Sequence, residues 1–349
     1  MNENGFYFGT PSPEGYLSLT SRAEFGGVYE YIIKGYSSSV TAGLLQRIKE
    51  ELDSAHIDLT EFYSPGGSDG IFCPAAGFKI IDGTYPRQVE PLTFGARDAI
   101  VCTGDFQDTR YLESRAADIT AALDERRYRL ERCRRFLTAA KSISNDMKRL
   151  EASQIDHAKL NDYSNRLWKK YGGKLRARIG RERKRLVTCI TSEGVELNLQ
   201  AFDSMCERVV VISDKTGACA ALIADILRAR ALSSGYDVIT CVCPLSGNTE
   251  HIIIPELKFG IFVSKRFHRA AFENGSRVYA RRFLNPSADD FKRRLDFSRK
   301  AFASLMNEAF SALEKAEEHE KMLDIIYFTA TDNDALAQSV LAKIRARCY

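Results

Sequence analysis

The sequence is poor in the patterns that announce the commoner chemistries. It has one tryptophan and five histidines in 349 residues. No two histidines stand at i, i+4 on a recognisable helix, and none has a cysteine or acid at zinc spacing, so a zinc-hydrolase motif is excluded. G-x-G-x-x-G is missing, which argues against a dinucleotide cofactor. Nor is G-x-S-x-G, the mark of a hydrolase nucleophile elbow, expected. The nine cysteines include no C-x-x-C pair. A disulfide scaffold is therefore excluded, and reduced structural thiols are expected. Cys241 and Cys243 alternate on an expected strand and read as small buried apolar side chains on one face. No apolar run approaches the roughly 18–20 residues of a membrane span. The opening residues, MNENGFYFGTPSPEG, have no basic start and no apolar core. A cytoplasmic protein without a membrane partner is expected.

What is present is ordinary globular material. Hydrophobic residues make up 44% and charged residues 28%, enough to build real cores. At about 150 residues per domain the length suggests roughly two domains. Charge is uneven. Arg126 to Arg185 holds 20 Lys/Arg and 6 Asp/Glu, a net +14, and with a total of +4 the rest of the chain carries −10. Such a basic arm reads as a solvated helical face, or as a surface for a phosphate-bearing polyanion such as nucleic acid.

Two segments read alike. One begins at Tyr29 (YEYIIKGYSSSVTAGLLQRIKEELDSAHIDLTEFYSPGG), the other at Arg208 (RVVVISDKTGACAALIADILRARALSSGYDVITCVCPLSGN). Each has a β-rich run, a loop of small and polar residues, and apolar residues at helical spacing: Leu44, Leu45, Ile48 and Leu52, then Leu222, Ile223, Ile226 and Leu227. A second strand, a Pro/Gly/Ser turn and a third strand (FKIIDG, FGIFVS) follow. Strand–helix–strand at this spacing predicts a parallel sheet with crossover helices, duplicated in tandem. Proline-free residues 110–170 and the stretch from Asp289 to about Leu323 predict long helices, packed on their own sheets or on each other.

A strand, a loop and a helix is also the frame of the phosphate-binding P-loop, G-x-x-x-x-G-K-S/T. Its glycines let backbone N–H groups wrap phosphates, its lysine neutralises them and its hydroxyl holds Mg²⁺. Laid on residues 35–42 (GYSSSVTA), the pattern keeps Gly35 but places Thr41 at the lysine and Ala42 at the hydroxyl. Laid on residues 212–219 (ISDKTGAC), it keeps Gly217 but places Ala218 and Cys219 there. Lys215 lies three residues too early to take the lysine's place.

The wider pattern resembles an uncharacterised bacterial family of proteins with two P-loop ATPase-like halves in tandem. The matching stretches are PEGYLSL, YIIKG, IIDGTYP, CTGDFQD, FLTAAKSISNDM, CPLSGNTEHIIIPELKFGIFVS and LEKAEEHEKMLDIIYF, spanning roughly residues 14–345. The resemblance implies two tandem P-loop NTPase-like three-layer α/β domains with helical extensions. Their bounds would be 1–125 and 186–349, joined by a basic helical arm over 126–185. It also implies ATP and Mg²⁺ as family ligands. Residues expected near such ligands are Gly35, Ser37, Ser38, Ser39, Thr41, Lys215, Thr216 and Gly217, with Asp82 at the acidic position that approaches Mg²⁺ through water. Ser264 is the expected counterpart of Asp82. The missing lysine and hydroxyl point to lost hydrolysis, with no catalytic or metal residue, and to a pseudo-ATPase acting as scaffold or regulator with a protein partner. The alternatives are an active ATPase or kinase-like enzyme with non-standard loops, and a nucleic-acid or polyanion binder. Weak phosphate or nucleotide binding is expected near Ser38–Thr41, where a helix begins.

Overall fold

The computed structural model describes residues 5–19, 27–285 and 289–348. A short hairpin, β1 (Gly9–Ser12) and β2 (Gly15–Ser18), precedes the first half. There β3 (Tyr29–Lys34) leads into α1 (Ser38–Ser54), followed by β4 (Thr60–Ser64), β5 (Gly67–Cys73), β6 (Phe78–Asp82) and β7 (Asp98–Cys102). The sheet order is β4-β5-β6-β3-β7. β3 is parallel to both β6 and β7, while β5 runs antiparallel between β4 and β6.

A helical stretch follows: α2 (Thr109–Ser114), α3 (Ala116–Ala152) and α4 (His157–Tyr171). Then come β8 (Glu182–Arg185), the hairpin β9 (Thr188–Thr191) and β10 (Gly194–Leu197), and α5 (Gln200–Met205). The second half comprises β11 (Arg208–Ser213), α6 (Ala218–Ser233), β12 (Val238–Val242), β13 (Thr249–Ile254), β14 (Phe259–Ser264) and β15 (Gly275–Tyr279). Its sheet order, β15-β11-β14-β13-β12-β8, repeats the first with β8 added at the edge. Again one strand, β13, runs against the rest. The duplication is therefore present in strand order and strand sense alike.

The parallel sheet expected from sequence is corrected to a mixed one. Between Ser64 and Gly67 only Pro65 and Gly66 intervene, and so short a connection joins antiparallel strands alone. Gly66 makes the turn at φ 109°. β5 escaped notice because Gly67-Ser68-Asp69-Gly70 shows no apolar alternation.

Helices cover one face of each sheet. Leu44, Leu45 and Ile48 of α1 pack on Ile33 and Ile80, and so do Leu336 and Val340 of the last helix, α8 (Asn333–Cys348). The C-terminal helix thus lies in the core of the first half, not with the 186–349 unit expected for it. In the second half α6 and α4 share a core with Val210, Ile212 and Ile261. The opposite faces are closed mainly by non-helical segments: Phe8, Val28 and Val89 in the first half, and Phe6, Val187 and the short α5 with Phe202 in the second. A full helical third layer is absent among the described residues. The N-terminal segment also ties the halves together, since Tyr7 N donates to Leu186 O at 2.7 Å and Phe8 N to Tyr63 O at 2.6 Å.

The basic arm folds back. α3 runs antiparallel along α7 (Asp289–Ala330), with Leu137 and Ala140 packed among Ala309, Ala312 and Leu313. Arg126–Glu320 at 3.1 Å, Arg132–Glu308 at 3.7 Å and Asp146–Arg294 at 3.5 Å fix the register. Of the two packings expected for the long helices, theirs is on each other. Cys241 and Cys243 are buried in different clusters rather than on one shared face.

Candidate functional site

In the first half the loop is three residues, Gly35 to Ser37, between the end of β3 and the start of α1. That is shorter than the G-x-x-x-x-G span of a P-loop. Ser37 caps α1 by accepting the Val40 N–H at 3.0 Å. Gly35 is needed because a Cβ there would meet Thr103 Oγ1 at 2.5 Å. Thr41 is buried in the helix and donates its N–H to Ser37 O at 3.2 Å, so it faces no ligand. The position a phosphate would take is occupied by Asp324 of α7. Its Oδ1 accepts Ser37 Oγ–H at 2.6 Å and the Ser39 N–H at 2.9 Å, and its Oδ2 accepts Ser39 Oγ–H at 2.5 Å. Ser38 Oγ stands 3.4 Å from the same carboxylate. Tyr327, one turn on, stacks on Tyr36 with ring centroids 5.2 Å apart.

In the second half the loop is four residues, Asp214 to Gly217. Gly217 adopts φ 83°, a left-handed conformation that a side chain would strain. Asp214 closes the N-terminus of α6 from within. Its Oδ1 accepts the Thr216 and Gly217 N–H groups at 3.1 and 2.9 Å, and its Oδ2 accepts the Ala220 N–H at 2.9 Å. Thr216 Oγ1 is hydrogen-bonded to Glu151 of α3. Burial, then the charge of Asp214, raise the Glu151 carboxyl to about 8. Lys215 is exposed and hydrogen-bonds to neither carboxylate, though its charge works to lower Glu151. Both helix N-termini are thus held by carboxylates, and the antiparallel α3–α7 pair supplies one to each half.

Asp82 is committed elsewhere. It accepts the Thr84 N–H at 2.8 Å, making an Asx-turn, and pairs with Arg87 at 2.9 Å. Arg87 also pairs with Asp69 of β5. Burial raises Asp69 to about 6 despite the guanidinium. The strand register sets Ile33 beside Asp82 and Ile212 beside Val263. The counterpart of Asp82 is therefore Val263, not Ser264. The same registers align Asp69 with Glu250, through Ile71↔Ile80 and Ile252↔Ile261. Each half thus keeps a buried carboxylate on its antiparallel strand, met by a cation from the loop after the next strand.

Glu250 is met by Lys265 Nζ at 2.7 Å, His268 Nδ1 at 3.1 Å and Thr188 Oγ1 at 3.1 Å. Burial opposes its charge, but His268 and Lys265 outweigh burial and hold it well below the carboxylate range. His251 beside it is pushed down to about 3, chiefly by burial, and stacks on Phe262 at 4.3 Å. Glu250, His251 and His268 are close enough together to suggest a metal centre. Their chemistry does not fit one. His251 Nδ1 accepts the Val263 N–H at 2.9 Å, so the neutral ring carries its proton on Nε2 and has no lone pair left there. The Lys265 ammonium already holds the carboxylate.

Comparison with family models, curated proteins and solved structures finds no match to this chain.

Above this cluster opens a cavity of about 1540 Å³, at the carboxyl ends of β11, β12 and β14 and under α3 and α7. Nine Lys/Arg and four carboxylates line it. Of the sequence-derived candidates, Lys215 and Thr216 reach it, while the Gly35–Ser39 loop and Asp82 are not among its lining. Sequence reading missed Arg269, Arg277, Arg281 and Arg299. The signal was there in KRFHR, just past β14, and in RVYARR, which straddles the end of β15, but the charge excess of 126–185 is larger. Contrary to expectation, Gly66-Gly67-Ser68-Asp69-Gly70 does spell G-x-S-x-G. It lies in the β4–β5 hairpin rather than on a strand-to-helix turn, so it is no nucleophile elbow.

Proposed function

We propose that this protein is a P-loop-NTPase-like tandem duplication that no longer hydrolyses nucleotide and serves as a scaffold or regulator. The observation that carries this reading is the pair of carboxylates on the two helix N-termini, Asp324 on α1 and Asp214 on α6. A phosphate entering either place would meet a like charge. At 4 Å and an effective dielectric near 20 that repulsion is about 4 kcal/mol, against the ~0.3–1 kcal/mol that a helix N-terminus offers an anion. Mg²⁺ with a nucleoside triphosphate does not fit these loops. They are too short to wrap phosphates, no lysine stands at the loop's end, and Ser37 and Thr216 spend their hydroxyls on Asp324 and Glu151. The repeated strand order, with the loop strand flanked by two parallel neighbours and followed by a helix, supports the ancestry.

The test is turnover. Purified full-length protein with Mg²⁺ and ATP or GTP is expected to release no phosphate above background. Magnesium-dependent release that vanishes in Asp82→Ala or Asp214→Asn would overturn the reading.

A further inference from the structure

We infer that the cavity at the strand ends of the second half binds an organic phosphate, one with an apolar or aromatic body attached to its charged head, and that it does so without a metal. The inference does not depend on lost hydrolysis, since binding and turnover are read separately.

Three observations carry it. The first is size. At about 1540 Å³ the cavity exceeds the roughly 300–1,000 Å³ of ordinary small-molecule sites. It also lies where α/β sheets place ligands, outside the carboxyl ends of parallel strands. The second is charge. The cavity's carboxylates are already engaged: Glu250 by Lys265, Asp296 by Arg299 at 2.8 Å, Asp214 by the α6 N–H groups, and Glu151 by Thr216. Among the described residues the side chains of Lys215, Arg269 and Arg281 make no hydrogen bond or ion pair, the Arg281 guanidinium lying 5.7 Å over the Tyr279 ring, and they reach the cavity from three separate segments. Cations converging from the β11–α6 loop, the β14–β15 loop and the turn after β15 suit a multiply charged anion.

The third is an apolar wall. Ile190, Leu245, Phe302 and Met306 face the same space from β9, the β12–β13 turn and α7. Phe302 packs on Phe267 with centroids 6.1 Å apart, so this wall is a built apolar surface. A bare inorganic polyphosphate would leave that wall wet, whereas an organic body would cover it. The shared chemistry has two sources, a nucleotide with its aromatic base or an alkyl or acyl phosphate with its chain.

Calorimetric titration of the full chain in EDTA decides the matter, with ATP, decyl phosphate and inorganic tripolyphosphate as probes. At least one organic phosphate is expected to bind below about 100 μM and at least tenfold more tightly than tripolyphosphate. Binding of ATP alone assigns a nucleotide, and binding of decyl phosphate alone assigns an alkyl or acyl phosphate. Arg269→Gln with Arg281→Gln, two exposed positions, is expected to weaken binding at least tenfold while leaving the melting temperature unchanged. No binding of either organic probe at millimolar concentration would overturn the inference. So would tripolyphosphate binding as tightly as both organic probes, or affinity untouched by the double substitution.

Discussion

Asp324 Oδ1 receives the backbone N–H of Ser39 at 2.9 Å, across 285 residues of chain. One carboxylate near the end of α7 thus completes the first turn of α1. Partial burial works to raise its pKa, but hydrogen bonds from Ser37 and Ser39 win and hold it below the usual carboxylate range. Replacing it with alanine removes a charge from a helix N-terminus and frees the donors it satisfied. The expected loss is about 1–2 kcal/mol in a urea titration at neutral pH. The emptied place should then accept an anion, so sulfate at tens of millimolar should raise the melting temperature of Asp324→Ala and leave the parent unmoved. Equal stabilisation of both would mean that Asp324 does not occupy the anion position.

That carboxylate shows where sequence reading stops. The duplication was legible because Ile33, Leu44 and Ile48 repeat as Ile212, Ile223 and Leu227 at matching offsets, and local periodicity reports local structure. A helix starting near Ser38 was legible, but Ser37 read as a ligand hydroxyl and not as the cap it is. What fills the space above that cap was not, because Asp324 is just one acid on the polar side of a long helix until the α3–α7 pairing delivers it. The antiparallel strand β5 was hidden for a related reason. Its first residues are glycine and polar, and only pairing with Tyr63 and Ser64 of β4 and with Ile81 of β6 makes them a strand. Lys215, Arg269 and Arg281 come from three separate segments of the cavity's lining, and no spacing rule brings them together.

Arg87 joins two nearly buried carboxylates, Asp69 and Asp82. Arg87→Ala would leave both charges without their cation, and breaking a buried pair in this way costs roughly 3–5 kcal/mol. Asp69→Asn in the same chain removes one orphaned charge and should recover part of that loss. Chemical denaturation of the single and double variants measures both steps. A double variant no more stable than Arg87→Ala would show that the guanidinium acts through packing on Tyr16, whose ring centroid is 5.9 Å away, rather than through charge.

The basic arm is expected to bind nucleic acid weakly. Arg176 is paired with Glu256, and Arg178 with Asp237 at 2.9 Å and Glu256 at 2.8 Å. Arg126, Arg132 and Lys141 are likewise paired with acids of other elements. Retention on a nucleic-acid column should therefore be low and little changed by Arg176→Glu, Arg178→Glu, Arg181→Glu and Arg183→Glu together. A steep inverse salt dependence that this reversal abolishes would make the arm a polyanion surface instead.

Glu151 should give stability a distinctive dependence on pH. Its native carboxyl titrates near 8, raised by burial and by Asp214, against a reference of 4.5. Between those values the native state holds a proton that the unfolded chain has released. Stability contributed by this group is therefore complete below about pH 4.5 and falls as pH rises towards 8. Asp69, native near 6 against 3.8, adds a slope of the same sign at lower pH. Glu151→Gln keeps the shape and a partner for Thr216 but cannot ionise. Its unfolding free energy should stay nearly level from pH 6 to 8 while that of the parent declines, and above pH 8 the variant should be the more stable of the two. Guanidinium titrations at pH 5, 6, 7, 8 and 9 read both curves. Parallel curves would show that Glu151 is already ionised at neutral pH, and that α3 brings a charge, not a proton, to the second loop.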